Sequence, residues 1–189
     1  MEKFLEVLAS QRIVPLTGEV NEGEVDKIRE QLALLNTKSN EKIHLLIDSK
    51  GGYTKPALWL YDFLQLLTAP VIGLVNGQCE SSALLILQGC TKRLATENST
   101  FQFHYLRARI SIHYDPNGNY KAFLNSRIQE DQEILRQSLE ILTKRIGKSE
   151  KELMELAKRG EQYDEHFSAQ KAKELGFIDE VLSEKYKLF

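Results

Sequence analysis

The stretch VIGLVNGQCESSALLIL, Val71 to Leu87, decides how the chain is read. Val71–Val75 is an apolar run of strand character, Asn76–Glu80 reads as a short polar turn, and Ser82–Leu87 is a second apolar run. A strand that breaks at Gly77 and restarts as a helix presents the residue at the break, Ser81, above the sheet. A buried helix N-terminus beneath that residue favours negative charge there.

Upstream, the same alternation of strand, turn and helix occurs twice. Arg12–Leu16 is a short apolar strand, and Pro15 places it at an edge or near a strand end. Gly18 is expected to turn the chain. Val25, Ile28, Leu32 and Leu35 recur at helical spacing on a polar helix of about four turns, with Asn21 as its cap. Ile43–Ile47 shows little alternation, as expected of a parallel strand covered on both faces. Asp48-Ser49-Lys50-Gly51-Gly52 follows, and a helix begins near Pro56, capped by Thr54 or Lys55 and ended by Pro70. Lys3–Leu8 reads as a helical turn or a loose arm.

Downstream, Gly89 closes the helix after Ser81. Lys92–Thr96 and Thr100–His104 read as short strands around Glu97-Asn98-Ser99. Strands separated by crossovers of a dozen residues or more predict a parallel sheet with helices on its faces, an α/β fold. Beyond His104 the pattern changes. Ile110 and Ile112 alternate about polar residues, and Pro116-Asn117-Gly118-Asn119 signals a turn. Tyr120–Ile146 then runs as one helical pattern of about 40 Å, longer than one small domain needs. Ser149 and Glu152 form a capping box for a helix over Glu150–Lys158. Asp164 falls in a polar loop. Ser168 caps a helix that Gly176 terminates, and Phe177–Leu182 is a final strand.

Bulk properties narrow the function classes. The chain has 189 residues, 42% hydrophobic and 28% charged, with a net charge of −2. That suits a single domain with a real core. No basic block points to nucleic acid. No run of about 18 apolar residues predicts a membrane span. Cys79 and Cys90 make neither a disulfide framework nor a zinc motif, so no metal or cofactor is expected, and a reducing, cytoplasmic setting fits best.

A serine hydroxyl acts as a nucleophile only with a base in reach and a group that holds the base. The turn at Ser81 suits that role, although it is not the G-x-S-x-G elbow. His104, at the end of the apolar strand Phe101–Phe103, is the candidate base. His44 lies inside a strand and is expected to face a helix, and His113 and His166 read as surface residues. The residues alone do not choose a third member among Asp48, Asp62, Asp115 and Asp164. Gly51-Gly52 is a candidate source of backbone N–H groups for an oxyanion. The phosphate-binding motifs G-x-G-x-x-G and G-x-x-x-x-G-K-[ST] are absent.

Five ordered segments carry a resemblance over Arg12 to Leu182. They are Arg12–Gly18, Ile47–Gly52, Gly77–Ala83, Asn98–His104 and Tyr163–Ala169, followed by the ending Ala172–Val181. Together they resemble the proteolytic subunit of the ATP-dependent Clp protease, the ClpP family. The resemblance implies a ClpP/crotonase-like fold of repeated β-β-α units. It implies one domain, with a head over about 12–105 and 149–189 and a protruding strand-helix handle over about 106–148. It implies a serine endopeptidase acting on peptides or unfolded proteins, with Ser81 as nucleophile, His104 as base and Asp164 as its orienter. Gly52 and Ser82 would supply the oxyanion N–H groups. Gly51, Tyr53 and Tyr105 would hold the substrate as an added strand. A homo-oligomer is implied, a heptameric ring or two rings joined through their handles, together with an AAA+ ATPase partner.

The chain differs from that family's usual pattern at several places. Lys50 replaces a proline. Glu80 stands where a small apolar residue is usual, and Ser82 and Ala83 replace Met and Gly. Tyr105 takes the place of Gln followed by Pro. Gln162-Tyr163 precede Asp164 without the Arg that pairs the rings. Eleven residues precede Arg12, which predicts a shortened axial pore segment. Two rival expectations follow: an inactive assembly subunit of the same fold, for which Glu80 argues, and a crotonase-like acyl-CoA enzyme, which the Ser/His/Asp set disfavours.

Overall fold

The structure is a computed structural model and describes residues 2–104, 118, 120–158, 164–183 and 186–188. It opens with α1 (Glu2–Ser10), β1 (Ile13–Val20) and α2 (Glu22–Lys38). The N-terminal segment is therefore a full helix, anchored by buried Leu8. The four apolar residues of α2 are buried as their spacing predicts, and the Asn21 side chain accepts from the Glu24 N–H at its start. Next come β2 (Ile43–Gly52), α3 (Thr54–Leu66), β3 (Val71–Glu80) and α4 (Ala83–Gln88). Tyr53 takes the N-cap position of α3 without a side-chain bond, so neither Thr54 nor Lys55 caps it.

The seven strands among the described residues form one sheet. The remaining four are β4 (Lys92–Thr96), β5 (Thr100–His104), β6 (Asp164–Ser168) and β7 (Glu180–Leu182). The main path runs β1-β2-β3-β4-β7, all parallel, with Pro15 on the edge strand. β3 forks the sheet. Its first half, Ile72–Val75, pairs with β4, and its second half, Gln78–Glu80, pairs with β5. β5 then takes β6 as an antiparallel neighbour.

Three strands run further than the sequence predicts. β1 continues through Gly18, which does not turn the chain. It adopts φ +80° at a register shift between Thr17 and Glu19. Buried Ser49 holds this bulge by donating to the Gly18 carbonyl at 2.6 Å. β2 continues through Gly51-Gly52, paired with Glu19 and Val20. β3 continues through Asn76–Glu80, so Gly77 is not the break. The ladder with β2 slips between Ile47 and Ser49 instead. Here Asp48 Oδ1 accepts from the Gln78 N–H at 3.1 Å. Glycine disfavours strands, so each irregular strand reads locally as a turn. Conversely, Asp164 lies at the start of a strand rather than in a loop, and the last strand is confined to Glu180–Leu182.

The second half of the chain adds α5 (Tyr120–Ile146), α6 (Glu150–Ala157) and α7 (Ala169–Leu175). α5 has the predicted bounds. Its buried residues, Ser138, Leu139 and Leu142, all lie in its second half. Phe123 and Ile128 in its first half are 41% and 48% exposed. Buried Arg93 ties the end of α5 to the sheet. It donates to the Arg145 carbonyl on α5 and to the Gly176 carbonyl and pairs with Asp179, while Arg145 donates to the Cys90 carbonyl at 2.8 Å. The capping box at Ser149 and the Gly176 terminus, at φ +89°, form as predicted. The expected strand around Ile110 and Ile112 lies outside the described residues, as does the turn over 116–119 apart from Gly118.

Candidate active site

Ser81 sits where β3 ends and α4 begins. It is one of two described non-glycine residues with positive φ, at +53°. That conformation is uncommon for a residue with a Cβ and marks stored backbone strain. The Ser81 N–H donates to the Gln102 carbonyl on β5 at 2.9 Å, which fixes the turn from one side. Gly51 fixes it from the other. A Cβ on Gly51 would stand 2.5 Å from the Glu80 carbonyl oxygen, 2.8 Å from Ser81 Cβ and 2.9 Å from the Ser82 nitrogen. The backbone of β2 thus lies directly against the serine turn, which only glycine permits.

His104 ends β5 and is half-buried. The β5–β6 register puts Asp164 opposite it. One level earlier, Gln102 lies opposite His166, and the Gln102 amide and His166 Nε2 are 2.9 Å apart. His166 is exposed, as expected. His44 is buried but faces Tyr186 rather than a helix, with its Nε2 2.9 Å from the tyrosine hydroxyl. Burial, followed by the charge of Lys42, lowers its pKa. Asp48 is spent on the bulge at Gln78, and Asp62 is exposed on α3. His113, Asp115 and Tyr105 lie outside the described residues.

One cleft of about 770 Å³ brings Ser81, Ser82, Gly52, Tyr53 and His104 together. Glu80 and Gln102 line it as well. Gly51 lies behind the serine turn and is buried. Cys79, two residues before Ser81, is wholly buried, and desolvation pushes its thiol well above its ordinary pKa. A neutral, buried thiol is no nucleophile. Among the described residues, no group of His, Cys, Asp and Glu side chains is arranged to hold a metal. No described helix is long and apolar enough to cross a membrane.

The sequence reading missed that α5 forms a wall of this cleft. Arg127, Glu130, Asp131, Ile134 and Leu135 line it. Glu130 takes both Arg127, at 2.6 Å, and Lys55 from the first turn of α3. The i, i+3 spacing of Arg127 and Glu130 was the local signal for half of this cluster. The long-range half, Lys55, had none.

The family described as Clp protease matches residues 1–185. The chain is 30% identical to the ATP-dependent Clp protease proteolytic subunit 3 of Synechococcus sp. (strain CC9605), over 97% of this chain and 90% of that protein. Its fold is similar to that of a ClpP1 mutant from Listeria monocytogenes, with a TM-score of 0.80 over 98% of this chain and 99% of that one, at 21% identity.

Proposed function

The chain belongs to the Clp protease family, and from that premise we propose that it is a serine endopeptidase that cleaves peptides or unfolded proteins by acyl transfer. The observation that carries this reading is the convergence of Ser81, His104, Gly52 and Ser82 on one cleft, with Asp164 in register opposite His104.

In this reading Ser81 Oγ attacks the scissile carbonyl carbon and His104 takes its proton. The N–H groups of Gly52 and Ser82 hold the oxyanion. The C–N bond then breaks, and His104 gives the proton to the leaving amine. Water, deprotonated by His104, attacks the resulting ester and frees Ser81. Asp164 holds the imidazole in the required tautomer. Gly51, Tyr53 and Tyr105 receive the extended substrate as a strand. Residues 106–148 act as the handle. The exposed Phe123 and Ile128 on the first half of α5 suit burial against other copies in a ring, to which an AAA+ ATPase delivers substrate.

Cleavage of short fluorogenic peptides tests the chemistry. Ser81→Ala is expected to lower kcat/KM by about 10⁴-fold or more, and a fluorophosphonate probe is expected to label wild type and not the variant. Equal activity of the two proteins overturns the assignment. Native mass measured in the same buffer tests the ring, and a monomer refutes the handle reading.

A further inference from the structure

We infer that Glu80 makes this cleft select a basic side chain, Lys or Arg, next to the scissile peptide bond. The inference rests on the peptidase reading of the cleft and adds a substrate class to it. Glu80 is bonded directly to Ser81, so the two Cα atoms are about 3.8 Å apart. A side chain flanking a carbonyl held at Ser81 is therefore within reach of the Glu80 carboxylate.

The ladder aims Glu80 at the reacting groups. Its register partner on β5 is Gln102, and the partner of Gln102 on β6 is His166. Paired residues share a face of the sheet, and the next residue on that face lies two positions on. Glu80 and Gln102 thus occupy the face of His104, one level before it. Gln102 is engaged by His166 at 2.9 Å. Glu80 is half-buried, and its carboxylate has no hydrogen bond or ion pair among the described residues.

The charge balance of the cleft points the same way. Two of its cations, Lys55 and Arg127, are both held by Glu130. Lys50 is exposed on the cleft lining. Glu19 and Asp131 line the cleft without an ion pair among the described residues. With Lys50 set against Glu19, Asp131 and Glu80, the lining side chains without an ion pair among the described residues are net negative, and a cation that enters is favoured.

The test uses internally quenched peptides that differ only in Arg, norleucine or Glu on either side of the cleaved bond. Wild type is expected to prefer Arg over norleucine by about tenfold or more in kcat/KM at one of those positions. Glu80→Gln brings that ratio near one, Glu80→Asp keeps a preference for Arg, and Glu80→Lys turns the preference towards the Glu peptide. A wild-type ratio near one, or a ratio that survives Glu80→Gln, overturns the inference. A second arm separates selectivity from chemistry. Labelled Arg and norleucine peptides are titrated against Ser81→Ala and followed by fluorescence anisotropy. If wild type cleaves nothing while Ser81→Ala binds the Arg peptide about tenfold more tightly, the peptidase reading fails and the selectivity stands. Equal binding of the two peptides refutes the selectivity.

Discussion

The two ends of the candidate site are held in place by different physics. At the Ser81 end, the backbone of β2 presses on the turn where β3 becomes α4, and room for one Cβ at Gly51 does not exist. At the His104 end, the residue is set by a ladder. β5 lies between β3 and β6, and the stacked rings of Phe101 and Phe167, 5.8 Å apart, lock its register. Ser81 is therefore positioned by sterics over a few ångströms. His104 is positioned by pairing between segments about 60 residues apart in sequence. Small changes at the first end should damage chemistry more than folding, and changes at the second should damage folding first.

The largest effect is expected from Phe101→Ala. Phe101 is fully buried, so the loss of its ring and the cavity left behind should cost about 3–5 kcal/mol in urea unfolding. A loss below about 1 kcal/mol would show that the β5–β6 pair is held by something other than its core face. Gly51→Ala comes next. An alanine there must adopt φ +81° and push against the Glu80 carbonyl and Ser81. Displacing Ser81 by a fraction of an ångström to one ångström should lower kcat/KM by about 10²-fold if it is the proposed nucleophile. If the variant keeps activity within threefold of wild type, the turn is not set by this contact and the contrast between the two ends fails.

The same contrast explains what the sequence made legible. Helices with a buried stripe were readable because their signal is local: Val25, Ile28, Leu32 and Leu35 on α2 are all buried, and α5 has the bounds its pattern implied. The strand cores Ile43–Ile47 and Val71–Val75 were readable from their uniform apolar character. The strand extensions were not. Gly18, Gly51 and Gly77 read as turns because glycine weakens strands. Here each stays in a strand because a second segment supplies what the local sequence lacks: Ser49 at Gly18, Glu19 and the serine turn at Gly51, Asp48 at Gly77. The fork of β3, which sends one half to β4 and the other to β5, is a property of the assembled sheet. Ser81 and His104 were visible as residue types at element ends. Glu80 was visible beside Ser81 and Gln102 two residues before His104, but that these pairs meet in one cleft depends on the fork and had no local trace.

Asp48→Ala sharpens the comparison at a smaller scale. Its carboxylate accepts from the Gln78 N–H and closes over Gly77, three to four residues before Ser81. Removing one such bond should cost about 1 kcal/mol of stability. Because the bond holds the second half of β3 straight into the serine turn, kcat/KM should fall along with it. A stability loss without any change in activity would mean that the Gly51 contact alone positions Ser81.

The smallest expected effect lies at the far end of β2. His44 pairs in register with Ile13 and Ile72, whereas Gly51 pairs with Glu19 near the site. Burial, then Lys42, favours the neutral imidazole in the folded protein, so its folded pKa is lower than its unfolded value of about 6.5. The unfolded chain therefore binds the proton first as pH falls. The stability linked to neutral His44 is fully present above the unfolded pKa and is lost as pH falls through that value towards the folded one. Urea midpoints measured from pH 7.5 to 5.5 should fall less steeply in His44→Phe than in wild type, with an aromatic ring still packed near Tyr186. The serine turn rests on the other end of this strand through backbone contacts that carry no proton. Acid that loosens the His44 end should therefore leave the turn in place until the whole sheet unfolds. If proteolysis or hydrogen exchange instead shows the Gly51 end opening as soon as His44 is protonated, β2 transmits strain along its length, and Ser81 is held by the strand as a whole rather than by its local fit.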